Sequence, residues 1–182
     1  MDSKASGNSL KTFLITGGTS GIGKETALEL ARAGAHVTIT ARDAAKGAAV
    51  VAEIAKERVD FKMLDLADLS SVKSFANEFT KPVDVLILNA GVMATPFSLT
   101  KDGFELQMGT NHLGHFALTG LLREKVSERV VAVSSQMHRA ARISGMSSDD
   151  LRNRARGIGA YSPWSAYALS KLANLLFIHE FE

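Results

Sequence analysis

Five short apolar runs are each followed by a stretch of helical period, and this alternation constrains the fold more than any other feature of the sequence. The runs are LKTFLIT (10–16), HVTITA (36–41), VDFKMLDL (59–66), VDVLILN (83–89) and RVVAVSS (129–135). After the first, Ile22, Ala27, Leu30 and Ala31 recur at helical spacing within 21–34, and Gly34 stands as a stop. Asp43 is placed to cap the alanine-rich helix that follows the second run. A helix is predicted over 68–80 and a long one from about Thr110 to Lys125. The last begins near Pro163, a residue suited to a first turn. Strands joined through helices pair in parallel, with helices covering both faces of the sheet. Right-handed crossovers leave few alternatives to a doubly wound, Rossmann-type α/β fold. In such folds ligands sit beyond the carboxyl ends of the strands, so chemistry is expected there.

A chain of 182 residues, 46% of them hydrophobic, is expected to form one domain over 10–182, after a flexible tail at 1–9. The absence of cysteine excludes disulfide and thiolate chemistry. A net charge of +2 gives no argument for nucleic acid. The arginines at 139, 142, 152, 154 and 156 are diluted by Asp149 and Asp150 and lack interleaved aromatics, so 139–160 reads as a solvated loop. No run reaches the length of a membrane span. The opening MDSKASGNS has the pattern of neither a signal peptide nor an anchor, and a cytoplasmic location is the expectation. His112 and His115 lack a nearby acid, so no metal site is expected.

The first run leads into TGGTSGIG (16–23). Its glycines, Gly17, Gly18, Gly21 and Gly23, permit a tight turn and a close backbone approach to a ligand. The helix that follows offers free N–H groups and a positive dipole end to a phosphate. The spacing differs from GxGxxG, and Glu25 after Lys24 excludes the nucleoside-triphosphate loop. The second run ends at Ala41-Arg42, where an NAD site commonly has an acid. Arginine forks onto a 2′-phosphate, which favours NADP(H) over NAD(H); a solvated surface arginine is the alternative.

Ser134 and Ser135 end the fifth run, Asn111 opens the helix after the fourth, and Tyr167 and Lys171 share a face of the last helix. A phenol is a poor base at neutral pH, and an adjacent ammonium favours the phenolate. A serine hydroxyl holds a substrate oxygen, and an asparagine can position water for a proton relay. Each piece alone has a bland reading: a surface YxxxK, a strand-end serine pair, a helix cap. The signal is the set in order.

In TGGTSGIG (16–23), LDL (64–66), LNAGV (88–92), TNHLGHF (110–116), VVAVSS (130–135) and YALSK (167–171), the chain resembles the short-chain dehydrogenase/reductase family. TNHLGHF and SKLANLLF are most similar to its retinol-dehydrogenase-like branch. The resemblance implies a catalytic tetrad of Asn111, Ser135, Tyr167 and Lys171, with Tyr167 the acid/base and Lys171 also on the nicotinamide ribose. It implies cofactor contacts from Gly17, Thr19, Ser20, Gly21, Ile22, Gly23, Arg42, Asp65, Leu66, Asn89, Ala90 and Gly91, besides Tyr167 and Lys171. The expected activity is hydride transfer between NADP(H) and a lipophilic carbonyl or alcohol. A homodimer through the 110–125 and 164–182 helices is implied, with Leu172, Leu175, Leu176 and Ile178 on its face or in the core. Family members continue past the tyrosine helix with a sixth strand, a loop over the substrate and a seventh strand. The chain is therefore expected to be C-terminally incomplete, with the fifth strand at an exposed edge. A non-catalytic dinucleotide-binding or interaction module is the alternative reading. A sugar-nucleotide epimerase is disfavoured by the loop spacing and the length.

Overall fold

The structure is a computed structural model that describes residues 11–54 and 58–181; the expected tail at 1–9 lies outside the described residues. The strands are β1 (Thr12–Ile15), β2 (His36–Ala41), β3 (Val59–Met63), β4 (Val83–Leu88) and β5 (Val126–Ala132). The helices are α1 (Gly21–Arg32), α2 (Ala44–Ile54), α3 (Leu69–Glu78), α4 (Leu106–Met108), α5 (Gly114–Leu122), α6 (Ser148–Ala155) and α7 (Pro163–Phe181). The strands form one parallel sheet in the order β3-β2-β1-β4-β5. Thr12 pairs with His36, Phe13 with Val85 and Val37 with Val59. The chain therefore builds outward from β1 to β3, then returns to β1's other side, which makes the sheet doubly wound with a switch point between β1 and β4.

The described residues group into two compact units. The first holds the chain up to Leu64 with Asn77–Ala90 and Leu122–Val131. Its core packs Phe13, Ile15, Val37, Ile39, Val59 and Val85 of the sheet with Ala27 and Ala31 of α1 and Val50 of α2. Leu14, Leu86 and Leu88, on the alternate positions, are buried as well. A parallel strand buried on both faces carries such a continuous apolar run. Gly34, at φ 92°, ends α1 as the sequence predicts. The Ala35 N–H reaches the Leu30 carbonyl and the Gly34 N–H reaches that of Ala31, both at 3.0 Å, which is a Schellman closure. Asp43 accepts the Lys46 N–H at 3.1 Å and opens α2. At the other end of the sheet, Asp84 accepts from the Thr12 N–H at 2.7 Å and the Ser127 hydroxyl at 2.8 Å. These bonds, led by that from Thr12, hold its carboxyl below the ordinary aspartate value. β5 starts three residues before the expected 129 and ends ahead of the serine pair; it occupies one edge of the sheet.

The second unit comprises Asp65–Ala76, Gly91–Leu121 and the chain from Ala132 onward. The long helix expected from Thr110 starts earlier, at Leu106, where the Glu105 carboxylate caps the Gln107 and Met108 N–H groups at 3.0 and 2.8 Å. It widens into a π-helical turn over Gly109–Leu113 before α5. Asn111 lies inside that turn, not at a helix start, because Glu105 rather than Asn111 supplies the cap. Gly114 faces the Leu66 backbone so closely that a β-carbon would collide with the Leu66 carbonyl. The segment 139–160, expected as a loop, contains α6. Ser147 and Asp150 cap it reciprocally, at 3.1 Å from the Asp150 N–H to the Ser147 hydroxyl and 2.9 Å from the Ser147 N–H to the Asp150 carboxylate. Among the described residues no helix is long and apolar enough to cross a membrane.

Candidate active site

In the first unit the glycine-rich turn is held by Thr16. Its hydroxyl accepts the N–H groups of Asn89 and Ala90 at 2.9 and 3.0 Å. The Asn89 side-chain amide donates to the carbonyls of Thr16 and Gly17 at 2.9 and 3.1 Å. Asn89 and Ala90 thus brace the turn from β4, a role the sequence did not reveal. Gly17 has φ 69°, and a β-carbon there would lie 2.8 Å from that of Ala90. A β-carbon on Gly18 would collide with Ile39, and one on Gly23 would lie 2.5 Å from the Gly17 carbonyl. Gly21, at φ 55°, has nothing within 4 Å of its β-carbon direction.

The first turn of α1 has no side-chain cap from Ser20 and no acidic residue. Its orphan N–H groups and dipole end therefore lack an internal counter-charge. Thr19 is half-buried, and Ser20, Gly21 and Ile22 are exposed, Ile22 at 70%. Arg42 is exposed just beyond β2. An uncapped helix start behind a turn whose Gly17, Gly18 and Gly23 leave no room for a side chain fits an oxyanion such as a diphosphate.

In the second unit Asn111, Ser135, Tyr167 and Lys171 come from three segments. The Asn111 side chain makes three hydrogen bonds. Its Oδ1 accepts the Val92 N–H at 2.8 Å, and its Nδ2 donates to the Val92 carbonyl at 2.9 Å and the Ser170 hydroxyl at 3.0 Å. Its own carbonyl accepts from His115 Nδ1 at 2.9 Å. His115 is fully enclosed, and burial pulls its imidazole down to about 4, so it is neutral with its proton on Nδ1. His112 instead faces Asn174 Oδ1 at 3.3 Å, and burial lowers it too. The two histidines therefore have separate partners.

Lys171 is buried at 4% exposure, and desolvation lowers its ammonium below the ordinary lysine value. Its Nζ donates to the Val133 carbonyl at 3.0 Å and stands 5.7 Å from the centre of the Tyr167 ring. A β-carbon on Gly91 would lie 3.1 Å from Asn111 Oδ1 and 3.6 Å from Lys171 Nζ, so this glycine keeps the approach to both open. Asn174 also reaches the Val133 carbonyl, at 3.3 Å. The Ser134 hydroxyl donates to the Lys171 carbonyl at 2.8 Å. The 133–134 segment is thus tied to α7 by three bonds, two to the Val133 carbonyl and one from the Ser134 hydroxyl. Ser135 is different: its hydroxyl accepts the Met137 N–H at 3.2 Å and keeps its own proton for donation. Tyr167 is half-buried, with Trp164 edge-on at 6.4 Å. Asp65 turns its carboxylate onto the Ala67 N–H at 2.9 Å, and Leu66 is buried.

Chemically, this cluster holds a phenol, an ammonium and a hydroxyl able to donate, the parts that move a proton to or from an oxygen.

A family model described as short chain dehydrogenase matches residues 11–147. Human retinol dehydrogenase 11 is 45% identical over 93% of this chain and 55% of its own length. Human polyprenol dehydrogenase is 43% identical over 94% of this chain and 54% of its own. A crystal structure of an uncharacterized protein from Mycobacterium Paratuberculosis superposes with a TM-score of 0.85 at 53% identity, covering 94% of this chain and 61% of that one. The chain spans about half the length of the curated relatives it matches.

Proposed function

The chain belongs to the short-chain dehydrogenase family, and on that premise we propose that it is an oxidoreductase acting with NADP(H) on a lipophilic carbonyl or alcohol, with Tyr167 as acid/base. The observation that carries the reading is the buried Lys171 ammonium beside the Tyr167 ring, with Ser135 next to the Ser134 that bonds the Lys171 carbonyl. One residue can transfer a proton, one holds a buried positive charge 5.7 Å from that ring, and one has a hydroxyl free to donate. Retinol and polyprenol dehydrogenases among the relatives support the lipophilic class.

When bound, the nicotinamide supplies or accepts the hydride. Gly17, Thr19, Ser20, Gly21, Ile22 and Gly23 would hold the diphosphate, and Arg42 a 2′-phosphate. Asp65 and Leu66 would flank adenine, Asn89, Ala90 and Gly91 would line the cofactor with backbone, and Lys171 would hold the nicotinamide ribose. In the reductive direction Tyr167 gives its proton to the substrate oxygen as charge develops there. Ser135 donates a hydrogen bond to the same oxygen, and the Lys171 ammonium stabilises the phenolate left behind. In the oxidative direction the same groups act in reverse. Asn111 would contribute by fixing Val92 and Ser170, to which both its amide protons and one lone pair of its oxygen are given. Leu175, Leu176 and Phe181 are exposed on α7, which supports a homodimer through that helix and α5, testable by sedimentation velocity.

The direct test follows NADPH absorbance with a panel of ketones and aldehydes that includes retinaldehyde. Turnover that Tyr167→Phe abolishes, with most of the NADPH affinity retained, is the expected result. Turnover unaffected by that substitution overturns the assignment of the tyrosine. Saturable NADPH binding without turnover on any substrate favours a non-catalytic dinucleotide-binding module.

A further inference from the structure

We propose that Gln107, a residue outside the catalytic cluster, is a positioning residue that sets the start of the catalytic helix α7; the proposal rests on the oxidoreductase reading above. Gln107 is completely buried, and its side chain bonds through its acceptor and both donors to three residues on two segments. Its Oε1 accepts the Ala94 N–H at 2.8 Å. Its Nε2 donates to the Tyr161 hydroxyl at 2.9 Å and to the Pro163 carbonyl, also at 2.9 Å. Pro163 is the first residue of α7, and Tyr167 follows one helical turn later.

The Tyr161 hydroxyl extends the same node. Having accepted from Gln107, it stands 2.9 Å from the Thr95 carbonyl and 3.1 Å from Glu105 Oε1, two acceptors for its single proton. Burial pushes the Tyr161 phenol up, so it retains that proton. Glu105 in turn caps the helix that carries Gln107. The result is a polar node with Gln107 at its centre and no idle bonding group on that residue. Buried polar groups impose a definite geometry only when all are satisfied, because each unmade bond in a low dielectric is costly. A leucine of similar volume could fill the space but would fix neither the Pro163 carbonyl nor the Ala94 N–H. Lys171 is anchored at Val133 and Ser134, so the far part of the catalytic pair is held by other bonds. Gln107 is what holds the near end of α7, one turn ahead of the phenol.

The node lies beside a built-in reporter. Trp164 is the sole tryptophan of the chain, follows Pro163 directly, is 52% exposed and meets Tyr167 edge-on. Its fluorescence reads the start of α7 whether or not the protein turns over any substrate.

The test compares the parent chain, Gln107→Leu and Tyr161→Phe in three measurements: acrylamide quenching of Trp164, NADPH titration, and retinaldehyde reduction resolved into kcat and KM. Gln107→Leu is expected to raise the quenching constant about 1.5-fold, as the helix start gains motion. It is expected to lower kcat by about tenfold, the cost of a misplaced catalytic group, with NADPH affinity within about twofold of the parent. Tyr161→Phe keeps the Pro163 acceptor but removes the one that orients Gln107 Nε2, so it should raise the quenching constant by a smaller factor, about 1.2-fold, and lower kcat about threefold. Unchanged Trp164 quenching in folded Gln107→Leu overturns the proposal, as does a loss of NADPH affinity equal to the loss of kcat, which marks a general structural role. Should Gln107→Leu fail to fold, Tyr161→Phe decides on the same readouts, and parent-like quenching and kcat there overturn the proposal. A parent without turnover refutes the oxidoreductase reading instead, and the quenching comparison still decides the position of the helix.

Discussion

Asn111 and Val92 are joined twice: the asparagine carboxamide accepts the Val92 N–H at 2.8 Å and donates to the Val92 carbonyl at 2.9 Å. A side chain here replaces the neighbouring strand that a backbone would otherwise pair with. Asn111 can do this from a π-helical turn because the widened turn sets it, fully buried, beside the segment after β4.

Asn111→Leu removes both bonds and the one to Ser170 without opening a large cavity. Leaving the Val92 peptide unpaired should cost about 2–3 kcal/mol. Urea denaturation measures this directly. A loss below about 0.5 kcal/mol, the scale of an ordinary surface change, would mean the bridge is not a structural anchor.

The adjacent serines should separate cleanly. Ser135→Ala removes a hydroxyl with a proton to donate and should lower kcat for retinaldehyde by about a hundredfold at little cost in stability. Ser134→Ala removes the bond to the Lys171 carbonyl and should cost about 1 kcal/mol of stability with a much smaller change in kcat. Steady-state kinetics with thermal melts of both variants would expose a reversed pattern.

The strands were legible because β1 and β4, paired on both sides within the sheet, are short runs rich in apolar residues, TFLI and VDVLIL, and β2 falls on the run His36–Ala41 that the sequence marks, although its Thr38 and Thr40 are buried polar residues. α6 was missed because only Leu151 and Ala155 among its eight residues are apolar, although the S-x-x-D of its capping box, Ser147 to Asp150, was there to read. β5 was placed late because Ser127 and Glu128, near its start, are exposed and polar or charged at the edge of the sheet. Motif spacing marked Asn111, Ser135, Tyr167 and Lys171, and the structure places all four in one compact unit. The resemblance singled out Ser135 over Ser134, but the physical difference between them, a bond from the Ser134 hydroxyl to a carbonyl 37 residues away, is not readable from the chain. Gln107 and Tyr161 were invisible for the same reason: their partners lie 54 residues apart in the chain.

Acid stability offers a third check. Burial depresses His115 to about 4, so between that value and the ordinary 6.5 the unfolded chain binds a proton that the folded chain does not. Stability therefore falls as pH drops through this window and recovers as it rises. From pH 7 to pH 4.5 the loss due to this residue should be about 2 kcal/mol. Urea midpoints of the parent and His115→Gln at both pH values isolate it: the variant should lose about 2 kcal/mol less. Parallel pH profiles would mean that His115 is protonated in the folded chain.

Two glycines of the turn should fail in different ways. Gly23→Ala places a methyl 2.5 Å from the Gly17 carbonyl and against the Asn89 amide, atoms that cannot yield without disturbing the braced turn. Its main effect should be a loss of about 1–3 kcal/mol of stability, the usual cost of overpacking. Gly21→Ala meets no neighbour, and its cost in the free protein is the strain of φ 55°, about 1–2 kcal/mol. Its methyl would stand at the uncapped start of α1, where the diphosphate is proposed to lie. NADPH affinity should therefore fall by about tenfold or more in Gly21→Ala, beyond what its stability loss explains. Urea denaturation without nucleotide, paired with NADPH fluorescence titration of the same samples, separates the two effects. A Gly21→Ala variant that binds NADPH as the parent does would show that the phosphates are held somewhere other than this turn.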